Sequence, residues 1–263
     1  MRPFLLIKTL FLCIINITNT IKGHINMKYS LIEVDNFKFV KIDNGLLLID
    51  TGSPFSYFKN GKIIIDDKEY KNSSFQKILK LRMEEFYSHL KDKLNDEIIG
   101  LIGMDIISSF GITINKKEGI VSFDSLSLEN GLFLDFELKD IKNQKYIIFK
   151  DIDVVGMTKE GLHSFILDTG SVVNVFKNAL CAHAQYAYRM DYYYPSFGRT
   201  LISDFMFFTL KSNSALNVIA GANIDYDMDM EFEFLNVDGE LCFNDLAWDI
   251  LSIHMGEKRV YWK

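Results

Sequence analysis

The chain has 263 residues, 48% hydrophobic and 14% aromatic, which suits one large domain or two small ones and excludes disorder as the dominant state. The net charge of −6, from 29 basic and 35 acidic residues, leaves no basic face for a phosphate backbone and excludes nucleic acid as a partner class. Cys13, Cys181 and Cys242 are too few for a disulfide framework; buried free thiols are the preferred reading, with a single Cys181–Cys242 bridge the alternative.

Residues 1–26 read as a separate segment. Phe4 to Ile15 is apolar apart from Lys8 and Thr9, and Arg2 supplies a basic start, but no small-x-small cleavage site follows. The segment is either a signal or anchor, which alone would bring a membrane into play, or a stretch upstream of a true start at Met27. The compartment, cytoplasmic or secreted, turns on that choice. Phe37 to Val40 and Leu46 to Ile49 flank Asp43-Asn44-Gly45, a hairpin pattern that delivers the chain into Asp50-Thr51-Gly52-Ser53. Apolar residues at near-helical period predict a helix over Ser74 to Leu94. Leu101-Ile102-Gly103 and then Lys117 to Phe123 follow, and the pattern breaks around Ser125 to Gly131.

A second hairpin, Ile147 to Val155 with Ser164 to Leu167, leads into Asp168-Thr169-Gly170-Ser171. Tyr192 to Thr200 reads as a hairpin tip bounded by strands, and the apolar-apolar-Gly element Ile219-Ala220-Gly221 follows. Between Asp225 and Phe234, acidic and apolar residues alternate, which predicts a half-buried strand. A calcium loop starting at Asp225 is excluded, because Met230 and Asn236 stand where glycine and glutamate are required. Leu246 to Met255 predicts a helix, and Arg259 to Trp262 a last strand.

The elements repeat. Leu48 to Ser53 recurs as Ile166 to Ser171, and Leu101 to Ile106 as Ile219 to Ile224, both 118 residues on; Lys117 to Phe123 returns as Val237 to Phe243. The chain therefore reads as two copies of one unit, residues 27–130 and 131–263. The acidic excess belongs to the second, which carries 12 basic and 19 acidic residues against 17 and 16 in residues 1–130.

Two carboxylates brought face to face by such a duplication share one proton, since close like charges do not both ionise. The ionised member is then a general base for water and the protonated one polarises a carbonyl. Glycines 52 and 170 allow the sharp turn beside each carboxylate. The hydroxyls of Thr51 and Thr169 are expected to bond across the interface, and those of Ser53 and Ser171 to bond the outer carboxylate oxygens.

These residues resemble the aspartic proteases of the pepsin and retropepsin type. The likeness rests on the two Asp-Thr-Gly-Ser strings, each followed 53 residues later by the glycine of an apolar-apolar-Gly element. Asp96 to Ile107 is especially similar to small bacterial retropepsin-like proteins. The resemblance implies an all-β fold with few helices, bilobal, with two homologous β lobes; Asp50 and Asp168 as catalytic dyad; Gly103 and Gly221 in the psi-shaped loops; and no metal or organic cofactor. It implies a protein or peptide substrate, and a complete site in a monomer. The Tyr-Gly-Thr/Ser-Gly flap signature of pepsins is absent, which leaves Tyr70 and Phe75 in the first half, or Tyr193, Tyr194 and Phe197 in the second, as candidate flap residues. A catalytically silent peptide-binding module of the same fold is the alternative function.

Overall fold

The computed structural model describes residues 27–42, 45–72, 76–156, 161–181, 185–194, 199–211, 215–222 and 226–263. Phe75, Phe197 and Asn223 lie outside them, as do the side chains of Tyr193 and Tyr194. The fold is all-β and two-lobed, with three short helices among the described residues.

The first lobe is built on β1 (Lys28–Val34), β2 (Phe37–Ile42) and β3 (Gly45–Ile49), a meander whose last strand is buried along its whole length. An unbroken apolar run suits that place, because β3 lies inside the sheet and pairs in parallel with β7 (Ile98–Ile102). The strand β4 (Tyr57–Phe58) pairs with the other side of β7. Between them, β5 (Lys62–Ile65) and β6 (Lys68–Lys71) form a separate hairpin. Its turn residues Asp66 and Asp67 have φ of 48° and 62°, as a two-residue hairpin turn requires.

Helix α1 (Gln76–Leu90) follows, inside the predicted range. It buries Met83, Phe86 and Leu90, and the Phe86 ring meets Phe37 edge-on at 4.8 Å. Helix α2 (Met104–Phe110) continues from β7 and stops at Gly111, whose φ of 80° turns its N–H back to Ile107 O. The strands β8 (Ile112–Asn115) and β9 (Ile120–Ser122) complete this part of the chain.

The first sheet does not end where the first half of the chain does. It runs on through β10 (Leu132–Asp135), β19 (Ile250–His254) and β20 (Arg259–Trp262), ten strands in all with β19 paired to β8. The helix predicted over Leu246 to Met255 is therefore corrected. Alternate partners on β8 and β20 draw residues 250–254 into a strand, and tertiary pairing overrides the local pattern.

The second lobe contains β11 (Glu137–Ile141), β12 (Gln144–Val155), β13 (Leu162–Leu167), β14 (Asn174–Phe176), β15 (Gln185–Tyr194), β16 (Arg199–Lys211), β17 (Ala215–Ala222) and β18 (Gly239–Leu241). Pairing of β12 with β16 closes six of the eight strands into a barrel, leaving β11 and β15 on the outside. The predicted strand at 226–234 is instead helix α3 (Tyr226–Leu235). Every second residue there is apolar, but among the side chains described Met228, Phe232 and Leu235 are the buried ones, at helical spacing, while Met230 and Phe234 are 47% and 53% exposed. A surface helix tolerates those two, and the alternation had no sheet to serve. One hydrophobic cluster runs from Val40 through both lobes to Trp262.

Candidate active site

Asp50 and Asp168 stand at the ends of β3 and β13, and the structure brings the two carboxyls close enough for each to act on the other's ionisation. The strands reach this point in the same way. The amide of Asp50 donates to Ile102 O at 3.0 Å, and that of Asp168 to Leu241 O at 2.9 Å. Each carboxyl is held by amides of its own loop: Ser53 N at 2.9 Å for Asp50, and Gly170 N at 2.8 Å and Ser171 N at 3.2 Å for Asp168.

The glycines are fixed by crossing rather than by turning. A Cβ on Gly52 would lie 2.4 Å from Cγ of Asp168, and one on Gly170 would lie 2.5 Å from Cγ of Asp50. Each loop thus presents a bare backbone to the opposite carboxyl, and any side chain would separate the pair.

The threonines join the halves. Thr51 Oγ1 donates to Leu167 O at 2.8 Å and accepts from Thr169 N at 2.9 Å; Thr169 Oγ1 donates to Ile49 O at 2.9 Å and accepts from Thr51 N at 3.1 Å. Both side chains are fully buried, so all four bonds are shielded from water. The serine hydroxyls do otherwise than the sequence suggests. Ser53 Oγ donates to Phe55 O and Ser171 Oγ to Val173 O, each at 2.8 Å, and they brace their own loops while backbone amides serve the carboxylates.

In the first half β7 lies between β3 and β4, and Gly103 follows it. A Cβ on Gly103 would come within 2.7 Å of Ser53 O and Phe55 O. In the second half the strand between β13 and β14 is β18, and Gly221 is corrected: it sits on β17, outside β14 and against the Phe205 ring. The position matching Gly103 is Cys242. The equivalence is carried by another glycine pair. Gly100 and Gly239 face Tyr57 and Val175, and a Cβ would meet their carbonyl oxygens at 1.9 and 2.4 Å.

Ser56 and Asn174 are functional-site residues that the motif reading passed over. Gly103 N donates to Ser56 Oγ at 2.9 Å, and Cys242 N to Asn174 Oδ1 at 2.8 Å. They stand 118 residues apart, the same offset as the aspartates, and a polar residue recurring at that offset between apolar neighbours was the available signal. Behind them, Asp105 accepts from Ser56 N and Oγ, and Asp245 from Asn174 Nδ2 and Ile219 N.

Burial is the main force on both carboxyls. It pushes Asp50 well above the usual carboxylate range, with the charge of Asp168 acting in the same direction. It also raises Asp168, but there the Gly170 amide and the neighbouring Asp50 side chain oppose the rise. Two acids raised together at such close range do not both ionise, and the proton they share belongs to the pair.

Among the flap candidates, Tyr70 lies on β6 and packs against the hydrophobic core with Lys68 Nζ 5.0 Å from its ring centre. The tip of that hairpin is tied to β1 through Asp66 and the Tyr29 hydroxyl, 3.0 Å apart. Tyr193 and Tyr194 belong to β15, paired with Thr200 and Arg199 of β16, and residues 195–198 between the two strands lie outside the described residues. Cys181 and Cys242 are both buried and free, and burial pushes the Cys181 thiol up to about 12.

No family model matches the chain, and no curated protein matches it in sequence. Among solved structures, the crystal structure of an aspartic proteinase from Irpex lacteus is similar over 90% of this chain and 96% of that one, with a TM-score of 0.47 and 9% identity. That neighbour is a hydrolase. A likeness this distant leaves the weight of any functional statement on the geometry of the site.

Proposed function

We propose that the chain is an aspartic-type endopeptidase, and that Asp50 and Asp168 form its dyad. The observation that supports this reading is the pair itself. Two close carboxyls, Asp168 buried and Asp50 half-buried, stand on loops joined by reciprocal threonine bonds, and both are pushed up in pKa. Holding two acids together works against stability, and two carboxyls sharing one proton are the arrangement that paired acid–base chemistry requires.

In the proposed reaction Asp168 takes a proton from a water molecule as the water oxygen bonds to the peptide carbonyl carbon. Asp50 gives its proton to the carbonyl oxygen. The tetrahedral diol then breaks its C–N bond, the leaving nitrogen takes the proton from Asp168, and a hydroxyl proton returns to Asp50. No cofactor is called for, and both carboxyls come from one chain, so a monomer carries the whole site. The two-copy division at about residue 130 belongs to the same proposal, with β10, β19 and β20 as second-half strands lent to the first sheet.

A statine-type peptide, whose tetrahedral hydroxyl imitates the diol, tests the reading by binding. It is expected to raise the melting temperature of the parent chain and to have at least about a hundredfold weaker hold on Asp50→Asn and Asp168→Asn variants. Equal binding to all three, with peptides bound and none cleaved, would instead support a silent peptide-binding module.

A further inference from the structure

The two halves hold their Asp-bearing loops by different means. In the first, the Ser53 carbonyl accepts from the backbone amide of Met104 at 2.9 Å, at the start of α2. In the second, no helix follows β18. Phe243 takes a left-handed φ of 62°, and the matching carbonyl, Ser171 O, accepts from the side-chain Nδ2 of Asn244 at 3.0 Å. A backbone donor is fixed by its helix, whereas a side-chain amide is only as fixed as its other partner.

That partner comes from the opposite lobe. Lys38, on β2, is completely buried. Its Nζ donates to Asn244 Oδ1 and, at 3.3 Å, to Asn36 O. It also lies 5.6 Å from the centre of the Trp248 ring, whose Nε1 donates to Phe243 O at 2.8 Å. An ammonium group has donors only, so it dictates which way the amide faces: Oδ1 toward Lys38, and Nδ2 toward Ser171. The Ser171 amide in turn holds Asp168.

Burying a lysine among these strands works against stability, and a hydrophobic side chain of similar length would serve the core better. Burial lowers the Lys38 ammonium to about 8, opposed by Cys242 and Glu33 and reinforced by Lys116. The side chain that accepts from Lys38 is also the one bonded to the Asp168 loop, so the buried ammonium bears directly on that loop.

We propose that Lys38 is a positioning residue of the Asp50/Asp168 site, reaching from the first lobe through Asn244 to hold the loop that carries Asp168. The proposal rests on the endopeptidase reading above.

The test uses Lys38→Met, Lys38→Gln and Asn244→Leu in the full chain. Lys38→Met and Asn244→Leu are expected to lower kcat by about tenfold or more with KM within about twofold. Lys38→Gln, which keeps an N–H donor for Asn244, is expected to recover most of that loss. The double variant Lys38→Met/Asn244→Leu is expected to be no slower than Asn244→Leu alone, since both act on one path. The melting temperature of the double variant, which removes both partners, should lie at or above those of the single variants; if Lys38→Met does not fold, Lys38→Gln and Asn244→Leu carry the comparison.

A readout independent of turnover is the 15N NMR spectrum. The Gly170 and Ser171 amides and the Asn244 side-chain amide should shift in Lys38→Met, while the Ser53 amide stays in place. Unmoved Gly170 and Ser171 signals overturn the proposal, as does an unchanged kcat in a chain that Asp168→Asn inactivates. Full cleavage by Asp168→Asn, whatever the spectra show, overturns the endopeptidase reading, and this proposal with it.

Discussion

Replacing Thr51 with valine keeps the shape of the side chain and removes only its hydroxyl, so it isolates the bonds that join the lobes. That hydroxyl bonds Leu167 O at 2.8 Å and Thr169 N at 2.9 Å. Its loss leaves two buried backbone groups without a partner, at about 1–3 kcal/mol each, or about 4 kcal/mol together. Thr169→Val removes the matching bonds to Ile49 O and Thr51 N and should cost the same. In urea the midpoint should fall at an unchanged slope, and on heating the transition should drop by about 8–16 °C for a chain of this size. The double variant should cost less than the sum, because opening one half of the interface frees the other. A loss below about 1 kcal/mol in either single variant, or single costs differing more than about twofold, would refute the idea that these reciprocal bonds join the lobes.

Other consequences are open to direct measurement. Both dyad carboxyls are raised, so above about pH 4 the native chain binds more protons than the unfolded chain. Stability from this source is full below that pH and is lost as pH rises through the folded pKa values. Denaturation of parent and Asp50→Asn across that range should show the variant gaining on the parent as pH rises. A constant difference would count against the shared proton. Gly52→Ala places a Cβ 2.4 Å from the Asp168 carboxyl carbon and should cut kcat about a hundredfold or more, measured as peptide turnover. Phe232→Ala should cost about 3–5 kcal/mol and Met230→Ala under about 0.5 kcal/mol, a contrast that helix α3 predicts and an alternating strand does not.

The parts of the fold visible in the sequence are those fixed by local chemistry. The Asp-Thr-Gly-Ser strings were legible because a carboxyl, a bonding hydroxyl and a side-chain-free backbone are each needed at one position. The hairpins before them and α1 showed plain periodicity. The second crossing strand was not legible, because Gly239 to Cys242 carries Glu240 and Cys242 where the first half has Leu101 and Gly103. The longer β15, β16 and β17 also carry it past the 118-residue offset, and Gly221, which keeps that offset, took its place. The alternation around Met230 imitated a strand because acidic residues fall on both sides of a helix whose buried stripe is narrow. Lys38 gave no signal at all; its role is visible only once β2 is laid beside Asn244, 206 residues later.

The central claim is that Asp50 and Asp168 together cleave peptide bonds. The most direct measurement is the digestion of a mixed peptide library by the parent chain, Asp50→Asn and Asp168→Asn between about pH 3 and 7, with products identified by mass spectrometry. The parent should cut peptides, and each variant should lose activity by about a thousandfold or more. Cleavage by either variant within about tenfold of the parent would contradict the dyad.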